Sequence, residues 1–211
     1  MKSTTQYNSA KIEIYKNNRS MKLRDLCIAI LEIENTDVEH ITFDNSSGDP
    51  IMNANIIMGC KMLKNNGYLV YIKTDASDIK YIKHALPYIH SINIDWKYKN
   101  LEDFLIKTKL MPAEYFKRIN NIYWIYNYCE ENNIFITITV ANINCNSVFE
   151  KIENADVFIL ENNNIEYVID IDIDLNIKLY QSFYAGNLQY DNLRNILEKV
   201  NFNERGLNNI L

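Results

Sequence analysis

Residues 11–15 (KIEIY) alternate apolar and polar side chains, the two-residue period of a strand with one buried face. Residues 21–33 switch to a helical period, with Leu23, Leu26, Cys27 and Ile30 on one face, and 40–44 read as a strand again. Asn53 is expected to cap a helix running to Lys64, with Ile56, Ile57, Cys60 and Leu63 inward and Gly67 as its stop. Further strands are expected at 68–73 (YLVYIK), 91–96 (SINIDW), 134–140 (IFITITV) and 157–160. Helices separate them at 78–86, at 101–106, from Pro112 onward and at 147–153. The stripe of the long helix after Pro112 is Tyr115, Ile119, Ile122, Tyr126 and Cys129.

Strands alternating with helices imply parallel pairing, right-handed crossovers and an α/β fold: a six-stranded (β/α)6 arrangement over 1–161. After residue 161 the rhythm changes. Segments 167–171 and 177–180 form a hairpin joined by 172–176, and a helix follows at 192–200 with Leu193, Ile196, Leu197 and Val200 inward. No Gly- or Pro-rich linker precedes this 162–211 tail, so it is expected to pack on the main sheet as an extension.

Composition narrows the function. A chain of 211 residues with 47% hydrophobic content can build one large domain with an appendage. A net charge of −5 argues against coating a nucleic-acid duplex. No apolar run approaches the roughly 20 residues of a membrane span, and the polar N-terminus lacks a signal core, so a cytoplasmic location is expected. Cys27, Cys60, Cys129 and Cys145 are far apart, with no C-x-x-C pair, and are expected as free thiols rather than metal ligands. Cys145 alone falls near the carboxyl end of a strand, but a nucleophilic thiol wants a histidine base. His40, His84 and His90 are expected at the opposite end.

In parallel α/β sheets ligands bind beyond the carboxyl ends of the strands. The candidates there are Ser47, Gly48, Asp49, Thr74, Asp75, Asp95, Lys97 and Asn142. Asp49 lies in a tight polar turn, where it either holds a ligand's ammonium group or caps the helix that starts near Asn53. Asp95-Trp96-Lys97 offers an acid, an aromatic face and a cation, enough to seat a nucleoside or a peptide carboxylate. The alternative is that Trp96 packs against the connection that follows and Lys97 is solvated. The aromatic side chains crowding 115–128 present a partner surface or pack beneath the 98–111 connection. The acidic run 170–176 lacks the glycine and glutamate of an EF-hand loop and fits a strand leading into a turn.

Three segments together resemble a radical S-adenosylmethionine (radical SAM) protein. The run Glu39-His40-Ile41-Thr42-Phe43 into Ser47-Gly48-Asp49-Pro50-Ile51 is similar to that family's second strand and its Gly-Gly-Glu-Pro turn. The run Asn66-Gly67 through Lys73-Thr74-Asp75 is similar to its third strand ending in Thr-Asn. The order of elements over 165–200, including Ala185-Gly186-Asn187-Leu188, resembles the SPASM or twitch extension of peptide-modifying members. The resemblance implies a partial (β/α)6 barrel with S-adenosylmethionine as a possible ligand.

The departures matter as much. The family binds a four-iron cluster through C-x-x-x-C-x-x-C after the first strand, whereas here Lys16-Asn17-Asn18-Arg19-Ser20 is short and holds no cysteine. The positions of the tail's auxiliary-cluster cysteines read Leu179-Tyr180-Gln181-Ser182. Iron–sulfur clusters need thiolates, so no cluster and no radical chemistry are expected. The resemblance thus implies a cluster-less binding or accessory subunit that holds a peptide or a partner enzyme in peptide maturation. The alternative is a cluster-independent enzyme acting on a nucleotide or S-adenosylmethionine through Asp49, Asp95 and Lys97.

Overall fold

Among the described residues the apolar alternations form strands and helices fold back over them, although Leu23, expected on the inner face of the first helix, is 41% exposed. The computed structural model describes residues 8–45, 48–140, 156–159, 168–179 and 183–207. In chain order these form β1 (Ser9–Ile12), a two-rung ribbon of β2 (Tyr15–Lys16) and β3 (Arg19–Ser20), α1 (Leu23–Ile33), β4 (His40–Phe43), α2 (Asn55–Asn65) and β5 (Leu69–Thr74). There follow α3 (Ile82–Ala85), β6 (Ser91–Trp96), α4 (Leu101–Thr108), α5 (Pro112–Asn132), β7 (Phe135–Val140) and β8 (Asp156–Ile159). The tail supplies β9 (Val168–Ile171), β10 (Asn176–Leu179), β11 (Phe183–Asn187) and α6 (Leu193–Leu207).

The fold is α/β, built on one nine-stranded, mostly parallel sheet in the order β11-β10-β9-β1-β4-β5-β6-β7-β8. From β9 to β8 every neighbouring pair is parallel, while β10 and β11 are antiparallel. Among the described residues β8 and β11 do not pair with each other, so no barrel closes. The strands from β1 to β8 are laid down in sequence order and in one direction. Right-handed crossovers then carry their helices to the same face.

That face is the core. Ala10, Ile12, Ile41, Phe43, Val70, Ile72, Ile92, Ile94, Ile136 and Ile138 alternate along their strands and are buried with Leu26, Ile30, Ile56, Leu63, Ile122 and Ile125 of the helices. Burying one such side chain contributes about 1.5–3 kcal/mol. Contact is close where glycine permits it. A Cβ on Gly59 of α2 would lie 2.8 Å from the Phe43 ring, and one on Gly186 of β11 would lie 2.8 Å from Ile196 of α6.

Asn53 caps the entry of α2, its side-chain oxygen accepting from Asn55 N at 2.9 Å. It has a further role, as its amide nitrogen donates to Ile14 O and Met21 O and ties the helix entry to the end of the first unit. Several expectations need correcting. The buried stripe of α5 is Tyr115, Arg118, Asn121, Ile122, Ile125 and Cys129, so Ile119 and Tyr126 sit beside it and two polar residues lie within it. The expected helix at 78–86 is a short α3 followed by a 3-10 turn through Tyr88. The tail hairpin forms, and it adds a third strand, β11. It also joins the main sheet, because β9 pairs in parallel with β1 from Ser9 opposite Val168 to Ile12 opposite Ile171. Ser47, Asn142, Cys145 and the helix expected at 147–153 lie outside the described residues. Among the described residues no helix is long and apolar enough to cross a membrane.

Candidate functional site

The carboxyl ends of β4 and β5 are stapled together by Asp49. One of its oxygens accepts from Ile51 N at 3.2 Å, which caps the 3-10 turn Pro50–Met52. The other accepts from Thr74 Oγ1 at 2.8 Å, Asp75 N at 3.1 Å and Ser77 Oγ at 3.1 Å. Burial, reinforced by the neighbouring Asp75 carboxyl, pushes the Asp49 carboxyl well above the usual range. Burial acts on Asp75 in the same direction, but the Asp49 hydrogen bond and the Arg118 guanidinium outweigh it and hold Asp75 below that range. The two shifts are opposed, upward at Asp49 and downward at Asp75.

Arg118 reaches this cluster from α5, with Nη1 2.5 Å from Asp75 Oδ2 and its guanidinium 5.5 Å from the centre of the Phe104 ring. Asn121, one turn on, donates to Ala76 O at 2.8 Å. Gly48 is required nearby, because a Cβ there would lie 2.9 Å from Tyr15 O. A carboxyl group has about four acceptor positions, and four donors already occupy those of Asp49. An incoming ammonium would have to displace one of them. Capping and stapling are therefore what Asp49 does here.

Asp95 faces the other way. Thr74 is in register with Ile94, and successive side chains of a strand point to opposite faces, so Asp95 projects from the side that carries no crossover helix. It is 3% exposed and accepts from Lys97 Nζ at 3.0 Å, with Lys73 Nζ at 3.7 Å and Asn45 Nδ2 at 3.5 Å. The same face carries polar side chains on strand after strand from β10 to β7. Cross-strand register aligns Lys178 with Asp170, Asp170 with Lys11, Lys11 with Thr42 and Thr42 with Tyr71, all half-buried. Further along, Asn93 Nδ2 donates to Thr137 Oγ1 at 2.6 Å and Thr139 Oγ1 at 2.9 Å.

Among the described residues, buried acceptors on this side lack donors: Asn45 Oδ1, Asn93 Oδ1 and Asp170 Oδ1. Burial raises the Asp170 carboxyl above its usual range, with Asp44 and Glu13 adding to the rise and Lys11 and Lys178 opposing it. At the amino-terminal end of the face the Tyr71 hydroxyl lies 3.0 Å from His40 Nδ1, and His90 packs edge-on against the Tyr71 ring. A polar sheet face of this kind presents many hydrogen-bond donors and acceptors.

The residues expected at the mouth therefore fall into two groups. Gly48, Asp49, Thr74 and Asp75 form the structural staple on the helix side, and Asp95 with Lys97 belongs to the polar face. Trp96 is fully buried against Tyr98 and Tyr115, so the connection after β6 covers it and it offers no face to a ligand. Lys73, Asn93, Thr137 and Thr139 were missed. Their signal is the recurrence of polar residues at alternate positions of these strands.

The donor set does not fit the iron–sulfur cluster that the resemblance implies after β1. There the chain makes the β2–β3 ribbon, its two-residue turn formed by Asn17 and Asn18 with φ of 48° and 62°. Arg19 at that ribbon's end pairs with Asp174 at 2.7 Å. Cys27, Cys60 and Cys129 lie on α1, α2 and α5, and burial pushes the Cys129 thiol up to about 12. A thiol held neutral is a poor metal ligand. No known family model matches the chain, and no curated protein matches it either.

Proposed function

We propose that this protein is a non-redox binding subunit whose polar sheet face holds an extended peptide. In this reading the sheet is a partial (β/α)6 barrel of the radical SAM kind that lacks the cluster, and the protein serves peptide maturation in the cytoplasm. The reading rests on one observation. On the face without crossover helices, β9, β1, β4, β5, β6 and β7 all carry polar side chains where packing alone calls for apolar ones. Half-buried Lys11, Thr42, Tyr71, Lys73, Asn93 and Thr139 would engage the backbone amides and polar side chains of a peptide lying across the strands. Sequential parallel strand order and the in-register tail support the scaffold assignment.

The test is selection of a random decapeptide library on the native protein, with binding then compared on Asn93→Leu/Thr139→Val. These substitutions remove two polar side chains from the face and leave the opposite, packed face untouched. Enriched peptides are expected to bind the native protein and to lose at least about tenfold in affinity on the double variant. Absence of enrichment, or peptides indifferent to the variant, would sink the proposal. A saturable rise in melting temperature on adding S-adenosylmethionine, without peptide binding, would favour the enzyme alternative.

A further inference from the structure

The connection between β6 and β7 carries an apolar surface that the polar face does not involve. Ile106 is 70% exposed, Leu110 42%, Met111 73% and Phe116 55%, clustered where α4 turns into α5. Beneath them the base is packed: Phe104 is fully buried and its ring contacts Tyr115 at 5.4 Å between centroids and Tyr98 at 4.8 Å. Lys107 Nζ further pins the end of α4 to Lys97 O at 3.1 Å. Large apolar side chains displayed together on a well-packed base mark an interaction surface.

The charges around this surface select the occupant. Lys107 is paired with Asp103 and Lys117 with Glu114. Lys109, lying between Ile106 and Leu110, has no ion pair among the described residues. The turn therefore combines exposed apolar side chains with an exposed cation that has no ion pair among the described residues. A second copy whose twofold axis passes through the turn would set Lys109 near Lys109, which is repulsive. Anionic bilayers are held by several clustered cations, and Lys109 is a single one. An apolar strip flanked by a carboxylate satisfies both features, and both flanks of the turn are helices rather than an unpaired strand edge.

We propose that this turn docks the apolar face of an amphipathic, acidic helix from another protein, with a carboxylate seated on Lys109. The assignment is independent of the peptide-binding reading, because no residue of the polar face takes part.

The test uses fluorescein-labelled 18-residue helical peptides with leucine at i, i+3 and i+4 spacing and either glutamate or lysine at the remaining charged positions. Anisotropy is expected to saturate for the glutamate peptide, which binds at least about tenfold more tightly than the lysine one. Ile106→Glu/Met111→Glu, both at exposed positions, abolishes that binding with an unchanged melting temperature. Lys109→Gly places glycine at a φ of 58°, raises the melting temperature, and still weakens the glutamate peptide several-fold.

Three results would overturn the proposal: no saturation, equal affinity for the lysine peptide, or full binding by the double glutamate variant. It would equally fall if that variant's only effect were to release the protein from phosphatidylglycerol vesicles, or to dissociate a dimer. The patch would then belong to a bilayer or to a second copy.

Discussion

Asp49 ties together two neighbouring units of this structure. Its four donors come from the turn after β4 and from the end of β5, so one carboxyl fixes two neighbouring units. Because burial raises its pKa in the folded state, protonated Asp49 stabilises the fold fully below its ordinary value of 3.8. That stability is lost as pH rises through the folded value. Asp75, held low by Asp49 and Arg118 against the effect of burial, works in the opposite sense and stabilises above 3.8. Asp49→Asn removes the first contribution and leaves Arg118 facing Asp75. Urea denaturation at pH 4, 6 and 8 should therefore show the native protein's advantage over Asp49→Asn shrinking as pH rises. An advantage that is constant, or that grows, would show that Asp49 is ionised in the fold. The turn itself was legible, since Ser-Gly-Asp-Pro before a helix announces a capping carboxylate. Arg118 was not, because a stripe drawn through apolar residues passes over a buried cation whose partner lies 43 positions away.

At the level of elements, period and propensity located β4, β5, β6 and β7 nearly to the residue, since β-branched and aromatic runs leave little choice. They failed at β11, where Phe-Tyr-Ala-Gly-Asn contains a glycine that weakens any strand reading. The reason for that glycine is visible only in three dimensions. A Cβ on Gly186 would meet Ile196 Cγ1, Cδ1 and Cγ2 at 2.8, 2.9 and 3.2 Å, so the seat of α6 on β11 depends on its absence. Gly186→Ala should destabilise the fold by about 1–3 kcal/mol through overpacking. Ile196→Ala opens space at the same spot, and the double variant should cost less than the sum of the two single changes. Additive costs in chemical denaturation would show that strand and helix adjust independently. The polar face was hidden for a related reason. A six-residue strand such as Phe-Ile-Thr-Ile-Thr-Val is apolar or β-branched along its length, and only register shows Thr137 and Thr139 flanking Asn93.

At the scale of the whole molecule, the decisive contact is between strands 159 positions apart. Ser9 lies opposite Val168, and that pairing inserts the tail into the sheet at β1. No local pattern announces it, because the hydrogen bonds are made by backbone and the partner is distant in sequence. Glu13 N reaches Ile171 O at 2.9 Å just beyond the strand, and Glu32 of α1 accepts from Leu193 N of α6 at 2.8 Å, so helix and sheet layers both cross the seam. Ile169, Ile171, Ile177 and Leu179 are buried with Ala10 and Ile12 in one core. Removing the tail would expose the edge of β1 together with that apolar surface, the condition under which parallel strands aggregate. A chain ending at residue 167 should accordingly fail to fold or be recovered only as aggregates. In the intact protein, Trp96 and Trp124 report on the layers before the tail, and amide exchange at Ile169 and Ile171 reports on the tail itself. Both should give one unfolding free energy, because a parallel strand cannot leave β1 without exposing the core behind it. Exchange at β9 at a much lower free energy than the tryptophan transition would make the tail a separate unit resting against a finished sheet.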